Sequence, residues 1–425
     1  MWFTTIPGQS KIERKRYGYF LHITDMHIDE DYKENSTFKS ACHKVTTHSS
    51  SAPSAGKWGS PGEACDAPVA LAEQTLEWIS KEWVDKLDFV LWTGDNAKLN
   101  QRVTDMMVDR FKDIPVIPSF GNNDVFPHNQ IGGPGHDDGL LDFYSKLWNR
   151  WIPFEQRSVF RQGGYFMTQI TPNLYIISLN TMYFYKKNNA VHNCQHLNSP
   201  GFTQLVWFEK QLKMARISHA KIYVIGHVPP SPRDYKGSCL SEFMQLVSSY
   251  TDVISGHFFA HLNIDHFLIF DGKRQEFSTN RDIEAYTDWL FNMYQTIDAN
   301  FITNSPLVVI QVAPSVLPVY YPTFRIYQYE VNQTDNFGHL LSYSQFYSNL
   351  TKWNQHDHLE YELEYTTKDD YQMDDLSVES YFKLAKTMVT DSPQGDQLWS
   401  LYRKHMVIKT LNFTDHDEDS NDSLY

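Results

Sequence analysis

FLHITDMHID (residues 20–29) is an apolar run that breaks into Asp25 and His27. Alternation along a strand puts these two side chains on one face at the strand's end, where carboxylate and imidazole can converge on one ion. Four later stretches repeat the pattern: LDFVLWTGDN (87–96), IPVIPSFGNND (114–124), AKIYVIGHVPP (220–230) and SGHFFAHLNIDHF (255–267). They deliver Gly94-Asp95, Gly121-Asn122, Gly226-His227, and finally His261 and Asn263. Gly permits a sharp turn off the strand, Asp95 can bridge two cations through its two oxygens, and Asn122 offers a hard neutral oxygen. Each dipeptide alone is an ordinary turn. Five strand ends bearing Asp/His, Asp, Asn, His and His in order describe a metal site, because α/β sheets gather ligands at the carboxyl ends of their strands.

Around these runs the chain reads as α/β. Strand-like segments are expected at 17–23, 87–93, 114–118, 173–179, 220–225, 250–254, 306–312 and 324–330, with helices at 68–87 and 202–217. Residues 45–63, rich in Ser, Gly and Pro, form a loop between Cys42 and Cys65. We expect an N-terminal extension over 1–17, a catalytic domain over 18–331, a mainly helical C-terminal subdomain over 332–410 and an acidic disordered tail over 411–425. LLSYSQFYSNLTKWN and SVESYFKLAKTMV supply the helical character of the third part.

A net charge of −14 over 425 residues argues against a general nucleic-acid binder, which needs clustered Lys and Arg. The longest apolar runs are strand-sized, and the first residues place charges where a signal peptide has its apolar core. An export signal or membrane anchor is therefore expected only outside this sequence. Export itself is expected, because Asn-x-Ser/Thr sequons stand at Asn35, Asn332, Asn349, Asn412 and Asn421. The four cysteines form two local pairs, Cys42 with Cys65 and Cys194 with Cys239, suited to disulfides in an oxidising compartment. Eighteen histidines would offset much of the negative charge in an acidic lumen, since their ordinary pKa is about 6.5.

The order Asp-x-His, Gly-Asp, Gly-Asn, Gly-His and a His-bearing strand resembles the calcineurin-like metallophosphoesterase superfamily. Within it, WTGDN, FGNNDVFPHN, GGYF, SLNTMYFY, IGHVPP, HLNIDHF and PSVLPVYYPTFRIYQYE resemble fungal endopolyphosphatases, relatives of acid sphingomyelinase-like phosphodiesterases. The resemblance runs from about residue 18 to 331. It implies a two-layer β-sandwich flanked by helices, a vacuolar setting, and hydrolysis of internal phosphoanhydride bonds of inorganic polyphosphate. It also implies two divalent ions (Mn, Mg, Co, Zn or Fe), one held by Asp25, His27, Asp95 and Asn263, the other by Asp95, Asn122, His227 and His261. Asn263, standing where the wider superfamily has His, weighs against an all-zinc site.

Asn123 replaces the His that helps polarise a phosphoryl oxygen in most of the superfamily, a change endopolyphosphatases share. Leu99 replaces a His able to assist a leaving group, and Ala260 replaces the usual Gly before the metal-binding His. His128 is a candidate to supply the missing proton, and His257 is expected to be supporting rather than ligating. Lys98, Arg102, Arg233 and Lys236 are candidate contacts for flanking phosphates, and Tyr183, Phe184 and Tyr185 for the groove wall. Two further readings stay open: a sphingomyelinase-like or nucleotide phosphodiesterase, and a catalytically weak metal-dependent polyanion binder.

Overall fold

The computed structural model describes residues 17–45, 54–96, 99–271, 282–297, 306–332 and 337–410. Two six-stranded sheets stack face to face. The first runs, edge to edge, β14 (Glu362–Thr366), β13 (Leu340–Tyr347), β12 (Thr323–Glu330), β1 (Tyr17–Ile23), β4 (Phe89–Trp92) and β5 (Val116–Pro118). The second runs β10 (His266–Phe270), β11 (Val308–Val312), β9 (Ile254–Phe259), β8 (Lys221–Ile225), β7 (Leu174–Ser178) and β6 (Phe166–Thr171). β2 (Ile28–Asp29) pairs in parallel with β3 (Ala67–Pro68) beside them. β1, β4 and β5 are parallel neighbours, as are β7, β8 and β9, so both sheets present carboxyl ends at one rim.

Alternation along β1 shows how the layers form. Phe20 points between the sheets, 5.4 Å from the Phe258 ring and 5.7 Å from Tyr223. Its neighbour Tyr19 points outward, 6.1 Å from Trp83 of helix α1 (Val69–Trp83). α1 covers that outer face through Trp78, which meets Phe324 and Phe346. Helices α2 (Asn100–Phe111), α3 (Asp138–Leu147) and α4 (Arg157–Gly163) follow, and α5 (Pro200–Ile217) and α6 (Gly237–Ser248) flank the second sheet. Ser199 starts α5 by accepting from the Phe202 amide at 3.1 Å. Among the described residues no helix is long and apolar enough to cross a membrane.

Seven of the expected strands form within a residue or two of their predicted bounds. The strand expected at 250–254 instead starts at Ile254, because the Tyr250 carbonyl accepts from both Val253 and Ile254 at 2.9 Å and closes a turn after α6. Residues 340–347 of LLSYSQFYSNLTKWN, expected to favour helix, are strand β13. β12 supplies the hydrogen-bonding edge that makes them a strand. The chain therefore crosses residue 331 within one sheet, β12 to β13, before reaching its helices: α7 (Ile283–Thr296) precedes that point, and α8 (Leu350–Trp353), α9 (Val378–Met388) and α10 (Pro393–Met406) follow it. The N-terminal extension up to residue 16 and the acidic tail 411–425 lie outside the described residues, as does 46–53 of the Ser/Gly/Pro-rich loop.

Both expected disulfides are present, Cys42–Cys65 and Cys194–Cys239. Of the sequons, Asn35 is exposed, while Asn332 and Asn349 are half-buried. The Asn349 side chain caps α8 by accepting from the Lys352 amide at 3.1 Å. Asn412 and Asn421 lie outside the described residues.

Candidate metal centre

All seven candidate ligands lie just beyond carboxyl ends of parallel strands: Asp25 and His27 after β1, Asp95 after β4, Asn122 after β5, His227 after β8, His261 and Asn263 after β9. Turning so abruptly off a strand requires backbone that most residues avoid. Asp25 (φ 49°), His27 (40°), Asp95 (57°), His261 (74°) and Asn263 (58°) all occupy the left-handed region. Such conformations cluster where function holds them. Gly94 and Gly121 let the β4 and β5 loops touch: a Cβ on Gly121 would stand 2.0 Å from Asp95 Oδ1, and one on Gly94 2.5 Å from the Gly121 nitrogen.

The side chains converge into two groups that share Asp95: Asp25, His27 and Asp95, and Asp95, His227 and His261. His227 Nε2 lies 3.0 Å from Asp95 Oδ2, 3.0 Å from Asn122 Oδ1 and 3.2 Å from His261 Nδ1. Ligands about 2.1 Å from a common cation sit about 3 Å from one another at right angles, so this crowding of acceptors has a cation's dimensions. On the other side His27 Nε2 is 3.3 Å from Asp95 Oδ2 and 3.7 Å from Asp25 Oδ1. Asp25 Oδ1 and Asn263 Oδ1 are buried acceptors with no hydrogen-bond donor among the described residues. Orphaned oxygens of that kind call for an ion.

The electrostatics agree. Burial alone would lower the His227 imidazole, but the Asp95 and Asp25 carboxylates hold it up at about 9. Burial would likewise lower His27, yet Asp25, Asp66 and Asp95 around it raise it well above the ordinary value. Asp95 is held well below the usual carboxylate range because His227 and His27 outweigh its burial. His261, half-buried and facing His227, is pushed far down by desolvation and by that imidazole. A metal ligand must be a neutral imidazole, so a cation here would compete with protons for His27 and His227.

Of the other candidates, Asn123 reaches the centre: its amide nitrogen and its Nδ2 each donate to Asp95 at 2.7 Å. His128 Nε2 lies 3.0 Å from Asn122 Nδ2, and burial lowers its pKa. His257 sits within β9 against the Val309 carbonyl at 3.2 Å, burial lowering it to about 4. Asn123, His128 and Leu99 line a cleft of about 1440 Å³ opening from the metal-ligand groups. Arg102 lines it too, bound to Glu30 at 2.9 Å and Glu73 at 3.1 Å. Arg233 and Lys236 do not line it. Arg233 packs over Tyr286, and Lys236 donates to the Asn188 carbonyl at 2.6 Å. Lys98 lies outside the described residues. Tyr185 reaches the cleft with its ring 5.2 Å from His261, whereas Tyr183 and Phe184 are core.

Three residues went unremarked in the sequence. Asp124 is buried and accepts from the amides of Asp95 (2.9 Å), Asn96 (2.8 Å) and Gly121 (2.8 Å), tying the β4 and β5 loops together. Its place two residues after Asn122 was the available signal. Asp66 faces His27, and Lys187 lines the cleft.

The calcineurin-like phosphoesterase family model matches residues 18–260, the span that carries β1 through β9 and thereby every ligand but the last two. The chain is a calcineurin-like phosphoesterase. This metallophosphoesterase continues into a match to the acid sphingomyelin phosphodiesterase C-terminal region over residues 295–413, which includes β11 to β14 and the last helices. It is 31% identical to an endopolyphosphatase of Cryptococcus neoformans over 78% of this chain and 61% of that protein. It is 38% identical to one of Debaryomyces hansenii over 61% and 40% respectively. With one of Schizosaccharomyces pombe it shares 28% over 90% of this chain and 85% of that protein. The chain thus spans about half the length of several curated relatives, 40% to 61% of the first four.

Proposed function

We propose that this metallophosphoesterase hydrolyses internal phosphoanhydride bonds of inorganic polyphosphate, with two divalent ions from among Mn, Mg, Co, Zn and Fe. The observation that carries the reading is the pair of ligand groups sharing Asp95 at the floor of an open cleft. Its curated relatives are named endopolyphosphatases, which supports the choice of substrate. Asp25, His27, Asp95 and Asn263 would hold one ion and Asp95, Asn122, His227 and His261 the other. When bound, such a pair lowers the pKa of a shared water and neutralises phosphoryl oxygens in line with it.

The chain's own groups do the rest. Asn123 orients Asp95, leaving that carboxylate's position independent of substrate. His128 stands at the cleft wall, where its Nε2 accepts from Asn122 Nδ2 at 3.0 Å, so it would give a proton to a departing oxygen only after that contact is exchanged. A phosphate is already a good leaving group, so Leu99 in place of a proton donor is compatible with anhydride cleavage. The open cleft suits an internal segment of a chain. Two disulfides and exposed Asn35 support a lumenal setting, and we assign the protein to the vacuole, lumenal side.

A second reading has a specific observation behind it. Phe126, 87% exposed, Phe143, Leu140 and Leu99 form an apolar shelf along the cleft, while Asp29, Glu30, Asp31 and Glu63 face it. A phosphodiester bearing a lipid or a base would use that shelf; bare polyphosphate would not. The test offers long-chain polyphosphate, sphingomyelin and a nucleotide phosphodiester to the metal-loaded protein and follows chain length on gels. Shortening without an early burst of free phosphate is expected, with Asp95→Asn losing it. Turnover of only the diesters would replace the first reading, and binding without turnover would favour the polyanion binder.

A further inference from the structure

The far nitrogens of the two imidazoles nearest Asp95 are fixed in different ways. His227 turns Nε2 to the centre and holds its Nδ1 2.7 Å from the Thr93 carbonyl, a buried main-chain atom at the end of β4. His27 also turns Nε2 to Asp95, but its Nδ1 faces a surface carboxylate, Asp66 Oδ1, at 3.5 Å. The Asp66 side chain is 53% exposed and belongs to neither sheet. What places it is the stretch 54–65, whose last residue, Cys65, is bonded to Cys42 immediately before Asp66. Directly after it, the Ala67 amide donates to the His27 carbonyl at 2.9 Å, and Ala67 pairs with Ile28. The strap is pinned at its far side as well: the Trp58 amide donates to Asn354 Oδ1 at 2.8 Å, Asn354 Nδ2 to the Gly59 carbonyl at 2.9 Å, and the Gly62 amide to the Val319 carbonyl at 2.9 Å.

We propose that Asp66 is a positioning residue for His27, held in place by the Cys42–Cys65 strap, and that the metal position built on Asp25, His27 and Asp95 is therefore the strap-dependent one. A carboxylate accepting from the distal N–H of a ligating imidazole fixes ring and tautomer and raises the ligand's basicity. The position built on Asp95, His227 and His261 draws the same service from β4 and is independent of the strap. The Cys194–Cys239 bridge, which joins the segment before α5 to α6, contributes to neither. This inference rests on the two-metal reading above.

The experiment titrates metal-stripped protein with Mn(II) alone, counting free Mn(II) by its electron paramagnetic resonance signal, and measures thermal unfolding of each variant in chelator. Wild type is expected to bind two equivalents. Asp66→Ala is expected to keep one at unchanged affinity and to weaken the other about 10- to 100-fold, the range for losing such a partner. Asp66→Asn, whose amide oxygen still accepts from Nδ1–H, should recover part of that loss. Cys42→Ser with Cys65→Ser should weaken the same single equivalent, and Cys194→Ser with Cys239→Ser neither. If Asp66→Ala weakens both equivalents alike, or neither, with unfolding unchanged, Asp66 is not the positioning group. If wild type takes up no second equivalent, the two-metal reading fails and this proposal with it. Should the cysteine variants fail to fold, Asp66→Ala decides alone.

Discussion

Replacing Asp124 by Ala separates the role of a metal-site scaffold from that of a ligand. The carboxylate accepts from three main-chain amides, those of Asp95, Asn96 and Gly121, all at 2.8 to 2.9 Å and shielded from water. Each buried donor left without its charged acceptor costs about 1.5 to 3 kcal/mol, so three give a gross loss of about 4 to 9 kcal/mol. Against this stands the burial of the carboxylate, which raises its pKa to about 6 with Asp95 adding to the effect. That shift is already net of the hydrogen bonds, so the desolvation relieved on removing the carboxylate offsets part of the gross loss. The net expectation is a loss of about 3 kcal/mol, read by urea denaturation of the metal-stripped protein followed by circular dichroism. Asp124→Asn keeps the volume and one acceptor and should fall between wild type and Ala. Because the same contacts hold the Asp95 and Asn122 loops together, Asp124→Ala should also lower Mn(II) uptake and turnover in the fraction that remains folded. A stability change below about 1 kcal/mol with unaltered metal uptake would refute the argument, placing Asp124 among ordinary tolerant positions.

Two further outcomes follow from other parts of the molecule. Gly121→Ala puts a methyl 2.0 Å from Asp95 Oδ1 and must displace the shared carboxylate; we expect turnover to drop at least about 100-fold while secondary structure persists, checked by initial rates and circular dichroism. Glu364 is buried in β14, where burial lifts its carboxyl to about 8 although Gln345 Nε2 donates to it at 2.8 Å. A raised acid stabilises the fold while protonated, so this contribution is whole below about 4.5 and is lost as pH climbs through about 8, about 5 kcal/mol at most. Stability measured by urea denaturation should therefore fall between those limits, and Glu364→Gln, neutral at every pH, should flatten that part of the profile.

How much of the centre was legible in the sequence depends on how local its causes are. Asp25, His27, Asp95, Asn122 and His227 each follow an apolar run, most of them preceded by Gly, and that juxtaposition is a property of ten consecutive residues. That local rule favours His257, which follows Gly256; only the family resemblance prefers His261, and in the fold His257 stays within β9 against Val309 while His261 joins Asp95 and His227. Arg233 and Lys236 follow a ligand run too, yet they point elsewhere, because a loop's direction after its first turn depends on what it packs against. The same limit hid β13 and β14. Their residues are half polar, and only the open edge of β12, and then that of β13, makes them strands.

The sequence by itself determined that five strand ends carry candidate ligands and that their order belongs to a metallophosphoesterase, since backbone periodicity and turn chemistry act over a few residues. Only the tertiary structure decided which groups serve those ligands. Asp124 lies beside Asn122 in the chain but acts on Asp95, 29 residues away, and Asp66 acts on His27 across a disulfide-closed strap. Such pairings are set by two sheets stacking with their carboxyl ends at one rim, and stacking is a property of the whole core, Phe20 against Phe258 and Tyr223, that no single stretch contains.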